Sequence, residues 1–165
     1  MTDPRAFNEL AAYEARARLL TCLDVPRWAH QVVAGRQYAE WSGLEAAMRS
    51  AALTITDEEL TLALARHPRI GERADADRHE ATHSEREQSA IDRSDEELAR
   101  ALLEGNRAYE ERFGRVFIIR AAGRDGQQVL DQLRIRLTNT DEQERAETIE
   151  QLVQIALLRA KEVLV

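Results

Sequence analysis

The chain has 165 residues, 44% hydrophobic and 32% charged, a balance that suits one water-soluble domain with a proper core and not a disordered or fibrous chain. Its net charge of -7, with no basic stripe interleaved with aromatics, excludes nucleic acid as the default partner, though a few buried arginines leave an anionic small molecule open. The single cysteine, Cys22, excludes an intramolecular disulfide, and no apolar run approaches the roughly 20 residues that a membrane-spanning helix needs.

Ala, Leu, Glu and Arg dominate and aromatics are only 5%, a mixture that favours helices over β-sandwiches. The N-terminus MTDPRAFNEL lacks the basic and apolar regions of a signal peptide, and the C-terminal KEVLV is not a peroxisomal address. With one cysteine suited to a reducing compartment, the expected location is cytoplasmic. No linker or repeat divides the chain, so residues 1–165 read as a single domain.

Along the chain, helical periodicity recurs. Leu44, Ala47, Met48 and Ala51 follow the i, i+3, i+4, i+7 pattern, as do Leu60, Ala63, Leu64 and His67. Leu98, Leu102, Gly105, Tyr109 and Phe113 trace one stripe of a longer helix. The last helix carries Ile149, Leu152, Val153, Ala156, Ala160, Val163 and Leu164 on one face. Thr56 with Glu59, Ser84 with Glu87, Ser94 with Glu97 and Thr140 with Gln143 read as capping boxes that start helices. Pro26, Gly35, Pro68, Gly114 and the turn from Gly123 to Gly126 read as stops. The expectation is an all-α, compact single-domain bundle of about seven or eight helices.

Two stretches break the pattern. Residues 69–83 are polar without an apolar period, too long for a casual loop. Val116-Phe117-Ile118-Ile119 is a short extended, β-prone run that ends at Ala121, Ala122 and Gly123. It has no sheet to join, so its backbone groups need other partners, of which a ligand is one candidate.

Few residues stand out chemically. His67 closes an apolar stripe directly before Pro68, which should end the helix about there. The negative end of the helix dipole favours imidazolium, the state a proton donor near neutral pH requires. The plainer alternative is a core histidine that only caps its helix. Ser84, Glu87 and Gln88 form a helix start able to grip a polar heterocycle, or simply a cap. His79, Glu80 and His83 match the zinc motif H-E-x-x-H, but flanking ADADR and SEREQ give it no apolar face to bury. Arg159 lies at the edge of the last helix's apolar face, where it either snorkels or turns its guanidinium inward to grip a carboxylate or carbonyl.

These pieces, in order, resemble one family. Phe7-Asn8, Trp28, HPRIGE at 67–72, SEREQ at 84–88, NRAYEERFGRVFI at 106–118, Gly123-Arg124, RLTN at 136–139 and IALLR ending at Arg159 are together similar to the 2-oxo-4-hydroxy-4-carboxy-5-ureidoimidazoline (OHCU) decarboxylases. One departure is Arg36-Gln37-Tyr38, where the family has Arg-Pro-Phe, which leaves that turn without proline's stiffness. The resemblance implies an all-α fold, no cofactor, no bound metal, a homodimer, and a small anionic ureidoimidazoline carboxylate as substrate in urate degradation.

By the same resemblance His67 is the catalytic proton donor and Glu87 its acidic companion. Pro68, Ser84, Glu85, Arg86, Glu87, Gln88, Ile119, Arg120, Ala121, Ala122 and Gly123 line the substrate site, largely through backbone groups, and Arg159 binds substrate. Two rival readings stand beside this one. A non-catalytic acidic helical interaction module accounts for composition and capping, and a zinc hydrolase would use His79, Glu80 and His83.

Overall fold

A computed structural model of the chain describes residues 3–70 and 96–164. Eight helices lie within them and no strands: α1 (Arg5–Glu9), α2 (Ala12–Cys22), α3 (Pro26–Ala34), α4 (Trp41–Ala52), α5 (Asp57–Leu64), α6 (Glu96–Phe113), α7 (Gly126–Arg136) and α8 (Asp141–Val163). The all-α expectation holds among the described residues. The boxes at Thr56 and Glu59 and at Thr140 and Gln143 form with both arms. Those at Ser84 and Ser94 lie outside the described residues.

Two readings of local signals need correction. Pro26 does not close a helix; it opens α3 at its first position, after Val25 in extended conformation. Its missing N–H costs nothing there because a first-turn N–H has no helical acceptor. Gly123, at φ +79°, does make a turn, but Asp125 and Gln128 then form a third reciprocal capping box that starts α7. That box has the same polar spacing as the others, and a glycine-rich stretch obscured it.

The chain divides into two compact units. The first comprises residues 1–63 and 153–165. Here α2 packs on α3 and α3 on α4. Phe7, Leu19, Trp28, Leu44 and Met48 are buried, and the Trp28 indole N–H donates to the Met48 carbonyl at 3.0 Å. The Arg36–Tyr38 turn is pinned despite its lack of proline. Arg36 donates to the carbonyls of Phe7 and Leu10 at 3.0 and 2.7 Å. Asn8 both donates to the Tyr38 carbonyl and accepts from its N–H, at 2.7 and 3.0 Å.

The second unit comprises residues 64–152. Leu102, Tyr109, Phe117, Ile119, Val129 and Leu133 form its core, with Ile70 packed among them. Helices α6 and α7 approach so closely that a Cβ on Gly105 would lie 2.5 Å from Cδ2 of Leu133. Within this core sits a charged group. Glu144, fully buried, accepts from the Tyr109 hydroxyl at 2.6 Å and from Arg136 Nε at 2.8 Å, while Asn139 donates to its other oxygen at 3.0 Å. The Arg136 guanidinium lies 4.6 Å from the Phe117 ring centroid and donates to the Ile118 carbonyl at 2.6 Å. Arg136 and Asn139, the first and last residues of RLTN, therefore converge on one carboxylate.

The network makes two predictions. Glu144→Ala strands a buried guanidinium and should cost about 3–5 kcal/mol. Arg112→Ala, which breaks the exposed pair with Asp141, should cost under about 1 kcal/mol. Urea unfolding of both variants measures the difference, and comparable small losses would contradict the central role of Glu144. The second concerns alkali. Burial, then the hydrogen bond to Glu144, pushes the Tyr109 phenol from 10.0 up to about 12. The folded state keeps this proton where the unfolded chain has lost it, so the stabilisation is complete below pH 10 and disappears as pH rises through about 12. Tyr109→Phe should flatten the alkaline fall in stability; an unchanged slope would assign that fall to other groups.

Candidate functional site

Helix α5 ends at Leu64, three residues before His67. The chain then tightens, and the His67 N–H donates to the Leu64 carbonyl at 3.0 Å, an i to i+3 bond. Pro68 accounts for this, because it disfavours the α conformation in the residue before it. Leu60, Ala63, Leu64 and His67 are all buried, as their spacing predicts, and His67 is only 6% exposed. The imidazole therefore lies inside the protein, next to the carbonyl end of a helix. Pro68 is buried beside it, whereas Arg69 turns outward to Glu110 on α6.

The run after α6 is irregular and not a strand. Ile118, Ile119 and Ala121 are buried, Arg120 and Ala122 are partly so, and Gly123 is exposed. Side chains supply several of the partners its backbone needs. Arg136 takes the Ile118 carbonyl, and the Arg120 N–H donates to Gln151 Oε1 at 2.9 Å. Arg124 closes the turn, its Nε on the Arg120 carbonyl at 3.1 Å and its N–H on the Ala121 carbonyl at 3.0 Å. Among the described residues, the peptide N–H and C=O of Ile119 have no hydrogen-bond partner. A buried peptide group in that condition is suited to meeting a ligand.

Arg159 belongs to the first unit. At 1% exposure it does not snorkel; its guanidinium points inward and donates to the Cys22 carbonyl at 3.3 Å. His67, Pro68 and Ile119 to Gly123 all belong to the second unit. Ser84, Glu85, Arg86, Glu87 and Gln88 lie outside the described residues, as do His79, Glu80 and His83. Among the described residues no group of three or more His, Cys, Asp or Glu side chains is placed to hold a metal ion.

Supporting residues escaped the sequence reading. Asn106 stands on the buried stripe of α6, four residues beyond Leu102 and three before Tyr109, and is 3% exposed. A polar side chain at an apolar register was the available signal. Gln151 stands likewise on α8, 4% exposed.

A family model described as OHCU decarboxylase matches residues 8–161. A search of curated proteins finds no match. Among solved structures, a crystal structure of OHCU decarboxylase in the presence of (S)-allantoin aligns with a TM-score of 0.71 at 22% identity, covering 87% of this chain and 95% of that one. A crystal structure of (S)-allantoin synthase aligns with a TM-score of 0.68 at 20% identity. It covers 95% of this chain and 52% of that one, so the present chain spans about half the synthase's length. At such identities the two structures speak to the fold. The match over residues 8–161 says more: this chain belongs to the OHCU decarboxylase family of carboxy-lyases.

Proposed function

We propose that this chain decarboxylates 2-oxo-4-hydroxy-4-carboxy-5-ureidoimidazoline to (S)-allantoin in urate degradation, with His67 delivering the proton that sets the configuration. The family match supports the reaction, and its span supports reading residues 1–165 as one catalytic domain. The observation that carries the role of His67 is its burial at the carbonyl end of α5, which keeps an ionisable ring near fixed dipoles and away from bulk water.

The substrate's own chemistry sets what the protein must supply. Its carboxylate is attached to a carbon beside a C=N bond. As the bond to CO₂ breaks, its electron pair forms a ring C=C bond and the C=N pair moves to nitrogen, which gains a proton. The resulting enol loses its hydroxyl proton and becomes the ring carbonyl while the ureido-bearing carbon accepts a proton. The net demand is one proton, together with orientation and recognition of an anion. His67 directs its proton to one face of that carbon. Glu87 orients substrate or His67, and Arg159 grips a carboxylate or carbonyl. Pro68, the Ser84–Gln88 segment and the Ile119–Gly123 segment line the ring and its ureido arm. The open peptide groups of Ile119 support the last of these assignments.

A homodimer is the assembly in keeping with the resemblance, and the lone, buried Cys22 suits a cytoplasmic setting.

The substrate also decays unaided, so stereocontrol is the sharper readout. His67→Ala should give racemic allantoin at about the background rate, a loss on the order of 10²-fold or more for a positioned acid. Circular dichroism of freshly oxidised urate with each protein reports this, and a normal enantiomeric excess would remove His67 from the role. Arg159→Ala, once shown to be folded, should mainly raise KM. An unchanged KM would count against Arg159 as a substrate ligand.

A further inference from the structure

The residues that follow His67 are tied to one face of α6 at two successive points. The Asn106 amide donates to the Ile70 carbonyl at 3.3 Å. One helical turn further along, Glu110 takes the Arg69 guanidinium in a two-pronged contact, Nε to Oε1 at 2.5 Å and Nη2 to Oε2 at 3.1 Å. On the other side, the His67 N–H is fixed to Leu64. The short stretch carrying His67 and Pro68 is thus held at both ends, at the close of α5 and on α6.

Asn106 is a costly choice if packing were its only task. It is 3% exposed, in the middle of a stripe formed by Leu102, Tyr109 and Phe113, and its Oδ1 has no partner among the described residues. A leucine would bury no unpaired oxygen at that register. What asparagine adds is a donor for the carbonyl three residues beyond His67. Glu110 reinforces it from a half-exposed position, where Arg69 shares the charge.

We infer that Asn106, with Glu110 beside it, is a positioning residue for this reaction: it fixes the backbone that aims His67. The inference rests on the reading of His67 as proton donor. It acts through the main chain, so neither side chain needs to touch substrate. A donor misaimed by about 1 Å loses roughly 10- to 100-fold in rate, with less effect on substrate affinity.

The test compares Asn106→Leu, Asn106→Ala, Glu110→Gln and His67→Ala in the full chain. Substrate is generated freshly from urate, and enough protein is used that spontaneous decay contributes little. The expected result for folded Asn106 variants is a kcat reduced roughly 10- to 100-fold, a KM within about 2-fold of the parent, and a partial loss of enantiomeric excess. Glu110→Gln should show the same pattern, more weakly. A merely structural role would lower the folded fraction and leave the product's handedness intact. Folded Asn106 variants with parental kcat and enantiomeric excess, alongside a racemic His67→Ala, would overturn the positioning role alone. A normal excess from His67→Ala would overturn the proton-donor reading beneath it. If the Asn106 variants do not fold, Glu110→Gln decides, and a parental kcat and handedness there would refute the clamp.

Discussion

A carboxylate with no water around it must be surrounded by donors, and in the second unit Glu144 meets this requirement with side chains from three directions. Tyr109 reaches it from α6, Arg136 from the end of α7 and Asn139 from the connection that follows. Each donor depends on the carboxylate as much as the carboxylate depends on them, since a buried guanidinium without a counter-charge is as unfavourable as a buried carboxylate without donors. Arg136 has a further function. Its remaining nitrogen holds the Ile118 carbonyl, and its flat face covers Phe117. The same network that ties three helices together thereby fixes the entry to the backbone run that precedes α7.

That run and the stretch after α5 share a design. Both are irregular, both are buried in part, and both are held by side chains from helices far away in sequence: Arg136 and Gln151 for one, Asn106 and Glu110 for the other. Regular structure satisfies its own peptide groups and offers a ligand few of them. Irregular segments leave peptide groups open, at the expense of needing an external frame. Helices α6, α7 and the first half of α8 are that frame.

How much of this was legible in the sequence follows from what each signal encodes. Helices α4, α5, α6 and α8 were readable because their apolar residues recur at 3.6-residue spacing, and the caps at Thr56 and Thr140 because they are local exchanges over three residues. His67 was readable as buried, since it continues a stripe that Leu60, Ala63 and Leu64 begin. Whether Arg159 pointed in or out was not, since an edge position allows either, and only packing decides that its guanidinium faces the Cys22 carbonyl. Asn106 and Gln151 show in the sequence only as polar side chains at apolar registers, and what they bond to is hidden for a related reason. Their partners, Ile70 and Arg120, lie 36 and 31 residues away, and no local pattern announces a side chain that serves a distant peptide group.

The turn at Arg36 to Tyr38 has a consequence for how the first unit assembles. A proline restricts its turn before folding as well as after, because the ring constrains the unfolded chain too. Hydrogen bonds from Asn8, and those Arg36 makes to Phe7 and Leu10, exist only once the first helix is in place. The turn's shape is therefore borrowed from the opening residues, and it should loosen together with them whenever that end frays.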